Sequence, residues 1–346
     1  MKKQKYVLNL LLILALTGFA LWFALKDNFH QVLKCISQMN LLSLVIVLLW
    51  GVLFTAVWGF VYYVLGRKYT DHYTAGKGIL VAFIGSFFSG ITPSSTGGQF
   101  VQAYIMKKQG IKVSDGASLL WADFIIYQTT MMIYVSILFL LRFAYYSAQS
   151  AWFNIILLGY IINAVVVVAL YTIALFPSIY IKLSRILVKV LTKLHILKNP
   201  EKTLDSWTLQ VTSFTREIKV LAKDKKSILL CVCVNVVRLS LYYSLPFVIA
   251  LALHIPLKMN ELIDVMALSS FVTMANNFIP IPGASGGTEV VFSLLFSGMM
   301  KNLTGAVLVL WRFSTYHIVL IIGGVLFVFV KNHYERKESK INLEGM

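Results

Sequence analysis

The chain has 346 residues, of which 58% are hydrophobic, 14% aromatic and only 13% charged, with a formal net charge of +17. Soluble domains carry roughly 25% charged residues, so this composition excludes a soluble globular protein and indicates a polytopic membrane protein. Apolar runs fill most of the sequence, and we therefore treat residues 1–346 as a single integral membrane domain without a soluble catalytic domain.

Six apolar runs approach or exceed the roughly 20 residues that a membrane-spanning helix needs. The predicted spans are 7–25, 41–65, 117–141, 151–176, 228–253 and 303–330. The first apolar run is longer than the stretch of about 7–15 residues in a signal peptide, and no small-residue cleavage motif follows it. We therefore predict that it is retained as an uncleaved span.

The stretch ITPSSTGGQF at 91–100 interrupts the apolar sequence after the second predicted span. Each limb of the surrounding segment, 79–106, has about a dozen residues, too few to cross a hydrocarbon core of about 30 Å at about 1.5 Å per residue. If the segment crossed as one broken helix, the basic residues of 178–227 would lie outside the cell, against the positive-inside rule. We therefore predict a re-entrant hairpin that enters and leaves the membrane on one side.

A second stretch, IPIPGASGGTEV at 279–290, repeats the P-x-x-x-G-G motif that occurs in ITPSSTGGQF. With a shift of 189 residues, ten of 36 positions are identical between 93–128 and 282–317. Two unrelated hairpins could share Pro and Gly, but here the match continues into the following span. We predict a duplication with halves at 41–176 and 228–330, inverted across the bilayer as in transporters whose discontinuous helices meet near the midplane.

The segment 178–227 contains 11 Lys and Arg against four acidic residues. Its first part, SIYIKLSRILVKVLTKL, places apolar residues at helical spacing with Lys182, Arg185, Lys189 and Lys193 between them. This pattern predicts a basic amphipathic helix on a membrane surface. Because each basic cluster flanks an apolar span, anionic lipid head groups are better partners than nucleic acid. We assign this segment, the tail 331–346 and both termini to the cytoplasm.

Polar residues around the two breaks form the predicted substrate pathway. Non-helical backbone at membrane depth must be buried in protein or line a wet cavity. Helix N-termini after each Gly-Gly pair would offer N–H groups to an anion such as phosphate. Charged residues inside spans usually face a partner or a cavity. The candidate pathway residues are Pro93, Ser95, Thr96, Gly97, Gly98, Gln99, Asp123, Gln128, Arg238, Pro282, Ser285, Gly286, Gly287, Glu289, Arg312 and His317.

Some of these residues have a purely structural alternative. Asp123 and Arg312 align in the two repeats and could simply neutralise each other between two helices. His317 could be a proton site or a histidine that is hydrogen-bonded within the bundle. The sequence GASGG at 283–287 lacks the strand-to-helix setting of a nucleophile elbow, and no Walker A or metal-ligand spacing occurs. We predict no catalytic residue, metal or cofactor.

The stretches ITPSSTGGQ…QAYIMKKQGI, FIPIPGASGGTE and LWRFSTYH resemble a flippase-like family, the lysylphosphatidylglycerol synthase transmembrane region. That family comprises the membrane half of the multiple peptide resistance factor and many stand-alone bacterial relatives, and the resemblance covers nearly the whole chain. The positive-inside rule applied along the chain predicts an all-α membrane fold with about six spanning helices and two re-entrant broken hairpins, 79–106 and 261–300, one from each side. The resemblance implies an inner-membrane lipid translocase fold. It also implies movement of aminoacylated phosphatidylglycerol to the outer leaflet, which lowers the affinity of the surface for cationic antibiotic peptides.

The resemblance leaves three functions open. The first is a bacterial inner-membrane flippase for an anionic or aminoacylated phospholipid such as lysyl-phosphatidylglycerol. The second is a scaffold for a separate synthetase or glycosyltransferase that docks on 178–227. The third is an integral-membrane transferase, although the acyltransferase domain behind the name phosphatidylglycerol lysyltransferase lies outside the resemblance.

Many relatives have the sequence G-E-x-x-R where this chain has Gly98, Gln99 and Gln102, so its substrate can differ. We favour lipid translocation.

Overall fold

A computed structural model describes residues 34, 37, 39–92, 96–143, 150–194, 197, 199–277, 279, 282–284 and 286–344. All regular structure in these residues is helical, which confirms the predicted all-α membrane class. The predicted span 7–25 lies outside the described residues, and so do Pro93, Ser95 and Ser285.

The described helices follow one another in chain order. They are α1 (Leu41–Gly66), α2 (Ala75–Ile91), α3 (Thr96–Lys108), α4 (Val113–Leu141), α5 (Ser150–Leu175), α6 (Pro177–Lys193), α7 (Pro200–Lys223), α8 (Lys225–Ala252), α9 (Leu262–Asn276), α10 (Gly287–Met300), α11 (Thr304–Arg312) and α12 (Ile318–Glu344). Short 3₁₀ turns lie at Met259–Glu261, Pro282–Ala284 and Lys301–Leu303, and a π-helical turn at Phe313–His317 joins α11 to α12.

Five helical stretches are long and apolar enough to cross a membrane. They are Leu41–Gly66, Val113–Leu141, Ile156–Leu175, Lys225–Ala252 and Gly287–Tyr334. Each contains or overlaps one of the five predicted spans that fall within the described residues. The last stretch is longer than the predicted span because α10, α11 and α12 follow one another with only short 3₁₀ and π turns between them.

Helices α2 and α3 form a hairpin around the first break. Gly85 packs against the side chain of Gln102, and Gly98 packs against Ser89 and the Gly85 carbonyl, so the two helices run antiparallel. A Cβ at Gly98 would overlap the Ser89 hydroxyl, which is why glycine is needed at this close approach. With 17 and 13 residues, both helices are shorter than a membrane-spanning helix. The re-entrant path of this hairpin through the membrane stays a prediction.

Helices α9 and α10 flank the second break. Gly283 and Gly286 adopt left-handed backbone conformations, with φ of 61° and 86°, that glycine accepts at little cost. After a shift of 189 residues, the starts of α1 to α4 fall within five residues of the starts of α8 to α11. This order agrees with a duplication, while the inverted relation of the two halves stays a prediction.

Small residues allow close packing between the helices that surround the breaks. Gly51 of α1 meets the π-helical turn, where its N–H donates to Ser314 Oγ over 3.2 Å. Ser314 Oγ donates in turn to the Val47 carbonyl over 2.6 Å. Deeper in the core, the Phe292 ring stacks on Trp311 with centroids 5.1 Å apart. Interfaces of this kind hold membrane bundles together by van der Waals packing and interhelical hydrogen bonds.

Two ion pairs mark opposite ends of the bundle. At one end, Lys68 Nζ lies 2.7 Å from Asp224 Oδ2, where α1 ends and α8 begins. At the other end, Arg142 Nε lies 3.1 Å from Asp264 Oδ1, where α4 ends and α9 begins. The first end also carries α6 and α7, and we predict from its basic charge that it faces the cytoplasm.

Candidate functional site

A cavity of about 730 Å³ lies between the first hairpin, α4, α8 and the second break. This volume is typical of pockets that bind small molecules. Aromatic rings form much of its wall: Trp58, Tyr62, Phe124, Tyr127, Tyr242 and Tyr316. Amide and hydroxyl groups form most of the rest: Ser86, Ser89, Gln99, Gln102, Gln128, Asn163, Thr273, Asn276, Asn277 and Thr315. Three charged residues, Asp123, Arg238 and Arg312, also line it.

Asp123 is a buried carboxylate with an unused oxygen. It projects from α4 and is 6% exposed. The indole N–H of Trp58 donates to its Oδ2 over 3.0 Å. Its Oδ1 is buried and accepts no hydrogen bond. A buried charge is costly unless it is paired and hydrogen-bonded, so this oxygen is an unsatisfied acceptor in the wall of the cavity.

Arg238 of α8 is held by aromatic rings rather than by an acid. Its guanidinium carbon lies 4.4 Å from the ring centre of Trp58, 4.6 Å from that of Tyr127 and 5.1 Å from that of Phe54. Cation–π contacts stabilise the charge without using the N–H groups. Nη1 donates to Asn235 Oδ1 over 3.5 Å, and Nε has no partner. Since a guanidinium has five N–H donors, several are available to an anion.

Arg312 and Glu289 bind each other beside the second break. Arg312 Nε donates to Glu289 Oε1 over 2.9 Å, and Nη2 donates to the Gly283 carbonyl over 2.9 Å. Glu289 Oε2 accepts the Gly286 N–H over 2.6 Å. The guanidinium also stacks on Tyr316 at 4.7 Å from the ring centre. Both carboxylate oxygens are therefore occupied, and the pair fixes the non-helical backbone of the break.

These contacts correct two expectations. The alternative in which Asp123 and Arg312 neutralise each other is wrong, because Arg312 pairs with Glu289 while Asp123 binds Trp58. The half-helices were expected to begin after each Gly-Gly pair, but α3 begins at Thr96, before Gly97, and α10 begins at the second glycine. Glu289 occupies the third position of α10, so the protein's own carboxylate fills the place predicted for an anion.

The aligned tyrosines Tyr127 and Tyr316 each stack on an arginine. Tyr127 stacks on Arg238 from α8, and Tyr316 stacks on Arg312 from the preceding turn of its own helix. The Tyr316 hydroxyl also donates to the Gly90 carbonyl over 2.8 Å, at the end of α2. The second repeat therefore makes direct contact with the first hairpin.

The remaining predicted residues divide into lining and framework positions. Gln99 and Gln128 line the cavity. The Gly97 N–H donates to Thr92 Oγ1 over 2.9 Å, and Pro282 begins the 3₁₀ turn of the second break. His317 is buried with Nδ1 3.2 Å from the Arg312 carbonyl, and it is absent from the cavity lining. This geometry matches the alternative of a histidine held within the bundle.

Sequence reasoning missed several lining residues. Asn163 lies in the middle of a predicted span, and a polar residue at that depth is a usable signal. It links α5 to the second break, because Asn277 Nδ2 donates to Asn163 Oδ1 over 3.0 Å. Trp58 and Tyr62 carry no such signal, since aromatic residues in spans are usually packing residues. Within the described ranges, no group of three or more His, Cys, Asp or Glu side chains is placed to hold a metal ion.

Comparison with known proteins agrees with this architecture. The family model described as the lysylphosphatidylglycerol synthase TM region matches residues 7–323, a range that contains both breaks and the cavity. A UPF0104 membrane protein of Archaeoglobus fulgidus is 24% identical over 330 residues, covering 92% of this chain and 95% of that protein. No solved structure matches the chain.

Proposed function

The chain belongs to the lysylphosphatidylglycerol synthase TM region family, and we propose that it moves a phospholipid with an anionic or aminoacylated head group between the two leaflets of the bacterial inner membrane. The observation that carries this proposal is the cavity in which Asp123 and Arg238 both retain unused hydrogen-bonding atoms. A head group carrying both a phosphate and an amine complements this arrangement.

The phosphate would bind the guanidinium of Arg238. Arginine–phosphate hydrogen bonds are charge-assisted and frequently bidentate, and they are roughly twice as strong as neutral ones. The Trp58 and Tyr127 rings hold the guanidinium in position. Less side-chain entropy is then lost when the phosphate binds, because the arginine is already ordered.

The amine of an aminoacyl group would bind Asp123. An ammonium has three N–H donors and no acceptor, so it complements the free Oδ1 of this carboxylate. Hydroxyl and ester groups of the head group would bind the amides of Gln99, Gln102 and Gln128, which line the same cavity. Phosphatidylglycerol without an amino acid would use the arginine and the amides alone.

The breaks provide the route for the head group. A charged group in hydrocarbon loses its hydration, at a free-energy cost of several kcal/mol or more, unless protein groups replace the water. The cavity offers such groups beside the hairpin of α2 and α3, whose helices are shorter than the membrane is thick. The acyl chains would stay in the surrounding lipid while the head group passes through the protein.

The proposal is tested by lipid scrambling in proteoliposomes. Head-group-labelled phosphatidylglycerol, its lysyl derivative and phosphatidylethanolamine are compared for the wild type and for Arg238→Gln, with Lys225→Gln at the exposed start of the same helix as the matched control. We expect the wild type and the control to move the lysyl lipid and Arg238→Gln to lose this movement. A folded wild type that moves none of the three lipids overturns the proposal and favours a role as an accessory protein.

A further inference from the structure

Helices α6 and α7 carry a second group of cationic side chains, remote from the transport cavity. A groove of about 320 Å³ lies between Pro177, at the start of α6, and one face of α7. Arg216, Lys219 and Lys223 line it at intervals of three and four residues, so all three project from the same side of the helix. Thr212 adds a hydroxyl group at one end.

Two of these cations have no acidic partner. In the part of the chain that the structure describes, neither Lys219 nor Lys223 forms an ion pair, whereas the nearby Asp224 pairs with Lys68. Val220 and the aliphatic parts of the lysines give the groove an apolar floor. Several cations around a small groove that also contains the Thr212 and Thr215 side chains are suited to a phosphate that is attached to an apolar molecule.

The two helices lie where lipid head groups are expected. Phe214 of α7 packs on Trp121 of α4 with centroids 5.1 Å apart, and Thr215 Oγ1 donates to the Ile173 carbonyl of α5 over 3.4 Å. These contacts place α7 at the end of the bundle where α5 ends and α8 begins. Helix α6 exposes an apolar stripe along its length, as an interfacial helix does: Ile179, Leu183, Ile186, Leu187, Val190 and Leu194.

We propose that the α6–α7 groove binds the phosphate of an anionic phospholipid in the adjacent leaflet, at a site separate from the transport cavity. The apolar stripe of α6 fits the acyl boundary, and the groove then lies at head-group depth beside it. Basic residues near a membrane surface attract anionic lipids, and each Lys or Arg adds to the attraction. A soluble anion would gain nothing from the apolar stripe. The site would couple the protein to the charge of the leaflet from which it draws its lipids.

The test uses the purified full-length chain and native mass spectrometry with added phosphatidylglycerol or phosphatidylcholine. The groove variant is Lys219→Gln/Lys223→Gln. The control variant is Lys202→Gln/Lys258→Gln, which removes the same charge from exposed positions away from the groove. Because the cavity can hold one phosphatidylglycerol itself, the bound lipids are counted, and we expect the groove variant to bind one phosphatidylglycerol about tenfold or more weakly while the lipid held by the cavity remains. We expect the control variant to bind within about twofold of the wild type, and phosphatidylcholine to bind poorly to all three proteins.

Two results overturn the inference. Equal losses of phosphatidylglycerol binding in both variants would indicate attraction by net charge alone. Unchanged binding in the groove variant would show that the groove does not bind the lipid and would favour a protein partner. Thermal unfolding of each variant verifies that these exposed substitutions keep the fold. Because Arg238 and Asp123 are untouched, lipid scrambling by the groove variant tests the proposed transport independently of this site.

Discussion

The second break and the side of the cavity formed by α4 and α8 differ in how their charged side chains are paired. Around the second break, Arg312 and Glu289 bind each other and the local backbone, so both Glu289 oxygens are occupied. On the side of the cavity formed by α4 and α8, the first side, Asp123 and Arg238 each retain a buried polar atom without a hydrogen-bond partner. We therefore propose that the second break is a fixed framework and that a ligand binds at the first side of the cavity.

The comparison shows how one repeat can yield two arrangements. Tyr127 and Tyr316 are aligned, yet Tyr127 supports an arginine from another helix, while Tyr316 supports the arginine four residues before it. Asp123 and Arg312 are also aligned, with opposite charges. Aligned backbone positions therefore carry side chains of different chemistry. The candidate site is located from buried polar atoms that have no hydrogen-bond partner rather than from the alignment of the repeats.

The largest expected effect on stability comes from Glu289→Gln. The substitution leaves the Arg312 guanidinium buried without its carboxylate, and breaking a buried pair in this way costs about 3 kcal/mol or more. Thermal unfolding in detergent measures the loss. Glu261→Gln is the matched control, since Glu261 accepts the Lys258 N–H over 2.6 Å just as Glu289 accepts the Gly286 N–H, but at an exposed turn. Equal shifts in the two melting temperatures would show that the arginine pair adds nothing.

The next effect is on transport, through Arg238→Lys. Lysine keeps the charge but loses the planar stacking on Trp58 and Tyr127 and the fork of N–H donors. We expect lipid movement to fall about tenfold, equivalent to about 1.4 kcal/mol. The scrambling rate is compared with that of Arg185→Lys, on the exposed face of α6. A wild-type rate in Arg238→Lys would mean that charge alone suffices at this position.

A smaller effect on stability is expected from Gly98→Ala in the first hairpin. The added methyl would overlap Ser89 Oγ and the Gly85 carbonyl, so α2 and α3 must move apart, at a cost of about 1–3 kcal/mol. Gly298→Ala in α10 meets nothing within 4 Å and is the control. Its helix should gain up to about 1 kcal/mol. The two melting temperatures should move in opposite directions; a shift in the same direction would contradict the close packing of the hairpin.

The smallest expected effect is on the pH dependence of stability, through the Lys68–Asp224 ion pair outside the membrane-spanning segments. The Lys68 ammonium and the Ser227 N–H hold the pKa of Asp224 well below its ordinary value of 3.8. A carboxyl group whose pKa is lower in the folded than in the unfolded protein stabilises the fold at pH values above its ordinary pKa. This contribution disappears as the pH falls through the pKa of the folded protein. The stability difference between the wild type and Asp224→Asn should therefore be constant above about pH 5 and shrink below pH 4. Thermal unfolding across this range checks it, and a difference that does not change with pH would exclude the ion pair as its cause.

Much of the fold follows from the sequence, since the physics of a bilayer leaves few choices. The apolar runs predicted the spans within the described residues, and Asp123, Arg238 and Arg312 were detectable because charge is rare and costly at that depth. The Arg312–Glu289 pair was not predicted, because 23 residues and a 3₁₀ turn separate the partners and only the folded backbone brings them together. Trp58 was missed because a tryptophan that holds an arginine resembles one that packs against lipid.

The central claim is that the first side of the cavity binds the ligand while the second break holds the fold. It is tested most directly by measuring lysyl-phosphatidylglycerol scrambling and thermal stability together for Asp123→Asn. This isosteric change keeps an acceptor for Trp58 and removes the charge at Oδ1; Asp71→Asn, at an exposed turn, is the control. We predict scrambling at least about tenfold slower, from the loss of a charge-assisted hydrogen bond, with an unchanged melting temperature. Wild-type scrambling together with a lower melting temperature would contradict the account and make Asp123 part of the framework.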